Sequence, residues 1–231
     1  MTKFSIEHHQ IIESALNNFN ADFFCKHNIL FGGGTRIALE LDEFRTSIDI
    51  DFLCPNKESY RAVRGEVTNV SLGQLVLQQF EYPREITFSR DAVRTFILVD
   101  GRRIKLEFVC FDNYDLTSVF DGQFPVPYID RVSCFYTKLL ANVDRCLAPP
   151  YKDIFDILAM CDNWGDIPDI AFEKAEAHYS IAVKRDLIKS IDDVLSRREF
   201  YIDQAKSLTI SEEYACKLVD VVAHGLHKAL I

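Results

Sequence analysis

Residues 29–53 read ILFGGGTRIALELDEFRTSIDIDFL, and the order of elements inside this stretch decides the fold. A short apolar strand (29–31) enters a glycine turn made of Gly32, Gly33 and Gly34, a brief helix starts at Thr35, and a second strand carries Asp49 and Asp51. Side chains two apart on a strand share a face. If the second strand begins as early as Arg45, then Arg45, Ser47, Asp49 and Asp51 line one side, while Ile48, Ile50 and Phe52 face the core. Two carboxylates held side by side repel each other and lose hydration, so a purely structural strand seldom pairs them. A divalent cation removes that cost, and Mg²⁺ is commonly held by one or two carboxylates together with substrate phosphates. Backbone N–H groups in a glycine turn ahead of a helix suit a phosphate. Each half alone has an ordinary reading, as a plain turn or a solvated strand end. Their order, with one short helix between them, points to a metal–triphosphate site.

The chain of 231 residues is long enough for one large domain or two small ones, and 48% hydrophobic with 26% charged residues is a globular composition. Eighteen phenylalanines predict a well-packed interior. No apolar run approaches the ~20 residues of a membrane span, and MTKFSIEHHQ lacks a signal-peptide core, so the expected location is cytoplasmic, with no membrane partner. Seven scattered cysteines without a Cys-x-x-Cys read as reduced packing residues. His8–His9 reads as a solvated helix face, and His224 with His227 has few companions for a metal. A net charge of −9 argues against a protein that coats nucleic acid generally, yet Arg61/Arg64, Arg102/Arg103 and Lys184/Arg185 leave room for a local basic groove.

Residues 5–27 carry Ile12, Leu16, Phe19 and Phe23 at helical spacing and predict one amphipathic helix closed by Asn28. Cys54-Pro55-Asn56 stops the acid strand, and a helix follows over 57–64. Within 65–82, LGQLVLQQF reads as a helix, with a buried strand as the alternative. Strands are expected over 84–89, 94–99 and 102–108, the last two joined by Asp100-Gly101, a strong hairpin signal. In RRIKLEFV, Lys105 and Glu107 share one face and Ile104, Leu106 and Phe108 the other. Glu107 is then either a third acid beside the Asp49–Asp51 strand or an edge charge that discourages pairing with other chains. Residues 111–128 read as a linker, and the remainder as helices over 130–145, from Tyr151, near 169–179, 181–198 and 211–230. Arg131, Lys138 and Arg145 fall seven apart and predict a basic stripe. The fold class expected is α+β: a small mixed sheet flanked by helices over 1–125, then a helical bundle over 126–231.

Gly33-Gly34-Thr35 followed by Arg45-Thr46-Ser47-Ile48-Asp49-Ile50-Asp51 resembles the AbiEii/AbiGii toxin family of nucleotidyltransferases, within the DNA polymerase β-like superfamily. Lys138, Arg145 and Lys152-Asp153-Ile154-Phe155-Asp156 resemble the family's later motif, so the likeness spans roughly residues 25–160 in order. The resemblance implies a Mg²⁺-dependent enzyme (Mn²⁺ being the natural substitute) that moves an NMP from an NTP, ATP among them, to an acceptor hydroxyl. It implies Asp49, Asp51 and Glu107 as metal ligands, Glu107 alternatively deprotonating the acceptor. Gly33, Gly34, Thr35, Arg45, Ser47 and Lys138 are implied as nucleotide-binding, with Lys138 on the triphosphate and Arg45 steadying the acid strand. Asp153 would fix Lys138 or the nucleotide sugar, so that the helical domain contributes Lys138 and Asp153 to the site. Known acceptors in the family include tRNA 3′ ends, and members often act as toxins with an antitoxin partner. Arg36 stands where a small or apolar residue is expected, either on a phosphate or in solvent, and the third acid is Glu rather than Asp. Two other classes fit parts of the pattern: an inactive relative that binds nucleotide or protein, and a small-molecule phosphotransferase. The intact acid pair weighs against the first, and the lack of a catalytic-loop Asp and Asn against the second.

Overall fold

Asparagines decide how the chain enters its sheet. The computed structural model describes residues 3–231. Helix α1 (Glu7–Leu16) buries Ile11, Ile12, Ala15 and Leu16. The single helix expected over 5–27 is in fact two, because 17–20 offers the backbone other partners. Asn17 Nδ2 donates back to the Glu13 carbonyl (2.8 Å) and Asn18 Nδ2 to the Gln78 carbonyl (2.7 Å). Asn20 then caps α2 (Ala21–His27) by accepting from the Phe23 amide. Asn28 ends α2 in the left-handed conformation, φ 52°.

The chain continues through β1 (Leu30–Gly32), α3 (Gly33–Glu40), β2 (Asp49–Cys54) and α4 (Lys57–Glu66). Asn56 caps α4 through the Ser59 amide at 2.9 Å. Strands β3 (Thr87–Phe88), β4 (Ala92–Val99), β5 (Arg102–Cys110), β6 (Ser118–Val119) and β7 (Tyr128–Ile129) complete a seven-stranded mixed sheet, ordered β3-β4-β5-β2-β1-β7-β6. Asp100 (φ 51°) and Gly101 (φ 74°) both take positive φ at the β4–β5 turn, as a two-residue hairpin requires. Phe52 and Phe108, opposite each other on β2 and β5, stack at 5.1 Å, and Phe19 and Phe24 pack edge-on against Phe52. That aromatic cluster fills one face of the two strands and leaves Asp49, Asp51 and Glu107 the other.

Three readings in this region need correction. Where a helix is expected over LGQLVLQQF (72–80), there is a short 3-10 turn (Gly73–Leu75), because Leu72, Leu75 and Val76 are each anchored inward while Leu77 is 65% exposed. The strand expected over 84–89 shrinks to β3, and the expected linker 111–128 contains β6 and reaches β7, which extends the sheet beside β1 through Phe31↔Tyr128.

The chain divides into two compact units: residues 1–36 with 47–130, which hold the sheet, and residues 37–46 with 131–231. The sequence reading puts the division at 125, without the excursion of 37–46. The second unit is helical: α5 (Arg131–Asp144), α6 (Lys152–Trp164), α7 (Asp169–Tyr179), α8 (Ala182–Ser196), α9 (Arg198–Ser207), α10 (Glu212–Lys217), a π-helical turn (Leu218–Val222) and α11 (Ala223–Leu230). Its core includes Phe135, Leu139, Phe155, Leu158, Leu187, Ile191, Tyr201 and Leu218. Helix α9 was not expected; it buries only Tyr201, Ile202 and Ala205, a thin apolar signal. No helix among the described residues is long and apolar enough to cross a membrane.

Candidate active site

In the sheet unit, the turn and the acid strand are built against each other. Gly32, the last residue of β1, pairs with Asp51 across the antiparallel β1–β2 ladder. Gly33 follows at φ +70°, and a Cβ placed on it would run into the Asp51 carboxylate and lie 3.0 Å from Asp51 Cβ and Cγ. Only glycine permits this close approach of backbone to carboxylate. We therefore expect Gly33→Ala to lower activity by at least tenfold, with a small loss of thermal stability, since positive φ and steric overlap both disfavour the methyl. A fully active Gly33→Ala enzyme in a turnover assay would show that the turn and acid need not meet.

Thr35 is buried on the first turn of α3, where its hydroxyl contacts Ser47 Oγ at 2.8 Å and donates to the Asp49 carbonyl. Ser47 in turn donates its amide to His9 Nε2 at 3.0 Å. His9 is thus wholly buried, not on a solvated helix face. Thr35, Ser47 and His9 hold the loop ahead of the acids in place, and the strand proper starts at Asp49 rather than Arg45. In consequence Ile48, expected in the core, is 57% exposed, whereas Ile50 and Phe52 are buried as expected. Arg36 is buried rather than in solvent, with its guanidinium 5.1 Å from the Tyr128 ring centre.

Strand β5 runs parallel to β2 and places Lys105 opposite Asp49 and Glu107 opposite Asp51. Glu107 is therefore a neighbour of the acid pair, not an outer-edge charge. Arg94 Nε reaches its Oε1 at 2.5 Å and Lys105 Nζ its Oε2 at 2.6 Å. Partial burial alone would push the Glu107 carboxyl up, but Lys105 and Arg94 overcome it and hold the pKa below the usual value. Partial burial likewise pulls the Lys105 ammonium down, but Glu107, Asp49 and Asp51 outweigh it and leave it raised. No three metal-ligating side chains among the described residues form a ready-made cage. Asp49 and Asp51, partly buried neighbours on β2 beside the Gly33 turn, are the oxygen donors here that could hold a hard divalent cation.

In the helical unit, Lys138 is not part of an exposed basic stripe. It is 5% exposed and binds Asp153 Oδ1 at 2.9 Å and Asp156 Oδ2 at 2.5 Å. Arg45 forks onto both oxygens of Asp156, at 2.7 and 3.0 Å, and Arg145 onto Asp153 Oδ2, at 2.8 and 2.7 Å. Desolvation would lower the Lys138 pKa, but Asp153 and Asp156 outweigh it and raise it. Desolvation would raise Asp153, but Lys138 and Arg145 hold it far below the carboxylate range. Arg45, read as a support of the acid strand, gives its fork to Asp156. Asp156, named in the motif and spaced three from Asp153 on α6, has no role in the sequence reading; here it takes both Arg45 and Lys138.

Two crystal structures from Helicobacter pylori share this fold. One is of a protein assigned as a nucleotidyltransferase (TM-score 0.57, 16% identity, covering 100% of this chain and 97% of that one). The other is of JHP933 (TM-score 0.57, 16% identity, 99% and 95%). At such identity the likeness speaks for the fold alone. No curated protein matches the chain. The family description "Nucleotidyl transferase AbiEii toxin, Type IV TA system" matches residues 14–214, which include the glycine turn, the acid strand, Glu107 and the Lys138 cluster. The chain belongs to the AbiEii family of nucleotidyltransferase toxins.

Proposed function

We propose that the protein moves an NMP from an NTP to an acceptor hydroxyl, with Mg²⁺ (or Mn²⁺) held by Asp49 and Asp51, and that an RNA such as a tRNA 3′ end is the acceptor. The observation that carries this reading is the contact of the Gly33 turn with Asp51, which sets phosphate-seeking amides beside a metal-seeking carboxylate. When bound, the metal supplies positive charge for the triphosphate and the departing pyrophosphate. Gly33 and Gly34 present backbone amides to the outer phosphates, while Thr35 and Ser47, bonded to each other, keep the turn and acid strand in register. Glu107, its oxygens taken by Arg94 and Lys105, serves best as an anchor that fixes Lys105 next to Asp49. A carboxyl held below its ordinary pKa by two cations is a weak proton acceptor, which makes deprotonation of the acceptor by Glu107 the poorer of its two implied roles. Lys138 supports the triphosphate only by releasing Asp153 or Asp156, and its better-supported work is holding that cluster together.

Incubation with each NTP, labelled in turn at the α- and γ-phosphate, with Mg²⁺ and total RNA tests the reading. Transfer of α-label to RNA is expected. Transfer of γ-label alone would mean a phosphotransferase, and no transfer to any acceptor would leave a binding protein. A partner antitoxin is expected from the family's type IV toxin–antitoxin setting. Its co-expression should relieve growth arrest caused by the wild-type chain.

A further inference from the structure

The sheet unit carries a second polar site whose charge is opposite to that of the protein as a whole. Helix α4, the turn before β4 and the end of β5 enclose a cleft of about 470 Å³, lined by Lys57, Arg61, Arg64 and Arg90 against Asp91 and Asp112. Four cationic side chains thus meet in one cleft of a chain whose net charge is −9. Lys57 is paired with Asp112 at 3.0 Å. Arg61 and Arg90 are exposed and make no ion pair among the described residues. Arg64 is the most telling. Its guanidinium lies 3.7 Å from the Phe88 ring centre, which fixes its plane, and its Nη1 is buried without a hydrogen-bond partner among the described residues. A guanidinium fixed in the wall of a cationic cleft, with one buried N–H left unsatisfied by the protein, favours an anionic ligand there.

The cleft does not serve the reacting triphosphate. Cys110, which lines it, stands three residues beyond Glu107 on β5, about 10 Å along the strand and on the opposite face by strand alternation. A ligand engaging both places has to extend around the sheet. Three guanidinium groups lining one cleft from two elements suit a tetrahedral phosphate, which accepts from several directions, better than a planar carboxylate. We infer that this cleft binds a backbone phosphate of the nucleic-acid strand that accepts the nucleotide, an assignment that rests on the transfer reading above.

The test is fluorescence anisotropy of the full chain with a labelled single-stranded RNA oligonucleotide over a salt series, for wild type and for Arg61→Gln/Arg90→Gln. Both residues are exposed and unpaired, so the variant should melt like wild type. The expected result is at least tenfold weaker RNA binding. The slope of log K against log salt should also flatten by about 0.7, the change for one lost phosphate contact on a single strand. Arg64→Lys, which keeps the charge and loses the fork, should weaken binding by a smaller factor. Unchanged RNA affinity in the double variant overturns the assignment. So does displacement of RNA by inorganic phosphate or ATP at equal phosphate concentration, which would make the cleft a site for free anions. Equal binding of polyglutamate would overturn it in favour of an acidic protein partner. The Asp51→Asn protein separates the two readings: it should bind RNA normally while transferring nothing. RNA binding retained alongside undiminished transfer in that variant would sink the metal-site reading and leave the cleft assignment standing.

Discussion

Asp51→Asn and Asp49→Asn should each reduce nucleotide transfer by on the order of 10³-fold or more, since a metal's stabilisation of developing charge is worth several kcal/mol and each 1.36 kcal/mol is tenfold in rate. Asparagine keeps the shape of aspartate and removes the anion, so the loss isolates charge rather than packing. The fold should not suffer. Both side chains are half-exposed on the polar face of β2, and the strand is held from its other face by Ile50, Phe52 and the aromatic cluster. Relief of repulsion between the neighbouring carboxylates is offset by the lost attraction to Lys105, so the melting temperature should stay close to that of the wild type. Glu107→Gln is a contrasting control. It removes the charge that Arg94 and Lys105 share, so it should free Lys105 and lower stability modestly, with a smaller effect on rate. Single-turnover release of pyrophosphate, set beside a thermal melt, reads both quantities. Wild-type rates in Asp51→Asn would remove the acid pair from the reaction.

How far the chain could be read in advance depended on whether local chemistry or distant partners decide each residue. The Asp-x-Asp strand, the Asp100-Gly101 hairpin and the Asn28 stop are local and appear in the order the sequence predicts, although β2 starts at Asp49 rather than Arg45 and α3 already starts at Gly33, inside the expected glycine turn. The alternation in β5 likewise placed Glu107 on the face away from Phe108, and only the parallel register with β2 was needed to set it beside Asp51. What could not be read were side chains whose fate is set by residues more than a hundred positions away. Arg45 and Asp156 are 111 apart in sequence, yet their bidentate pair is what gives Arg45 its position. Lys138 is a different case: spacing puts it on a basic stripe, because helical periodicity marks a face without saying what covers it, and only the resemblance tied it to Asp153, 15 residues on, which it does bind. Ile48 fails for a simpler reason: β2 begins one residue later, so alternation does not yet apply.

The buried cluster of the helical unit makes the second large prediction. Asp156→Ala should destabilise the protein by about 3–5 kcal/mol, because Arg45 and Lys138 would remain buried with a carboxylate removed from between them. At about 2–4 °C per kcal/mol for a chain of this size, the melting temperature should fall by roughly 6–20 °C. Lys138→Met should cost less, although it touches the same network. It leaves Asp153 with Arg145 and Asp156 with Arg45, two carboxylates matched to two guanidinium groups. It is therefore the variant in which any loss of turnover can be read as loss of phosphate contact rather than of fold. The pH dependence follows from the same pairs. Asp153 has its pKa depressed on folding, so its contribution is present above the unfolded value of about 3.9 and lost as pH falls below it. Lys138 has its pKa raised, so its contribution is present below the unfolded value of about 10.4 and lost above it. Urea titrations should accordingly show a plateau in the contribution of this cluster between about pH 5 and pH 9, with an acid limb that is shallower in Asp153→Asn. If Lys138→Met and Asp156→Ala prove equally destabilising, charge balance is not what holds this cluster, and packing of the lysine stem would have to carry the explanation.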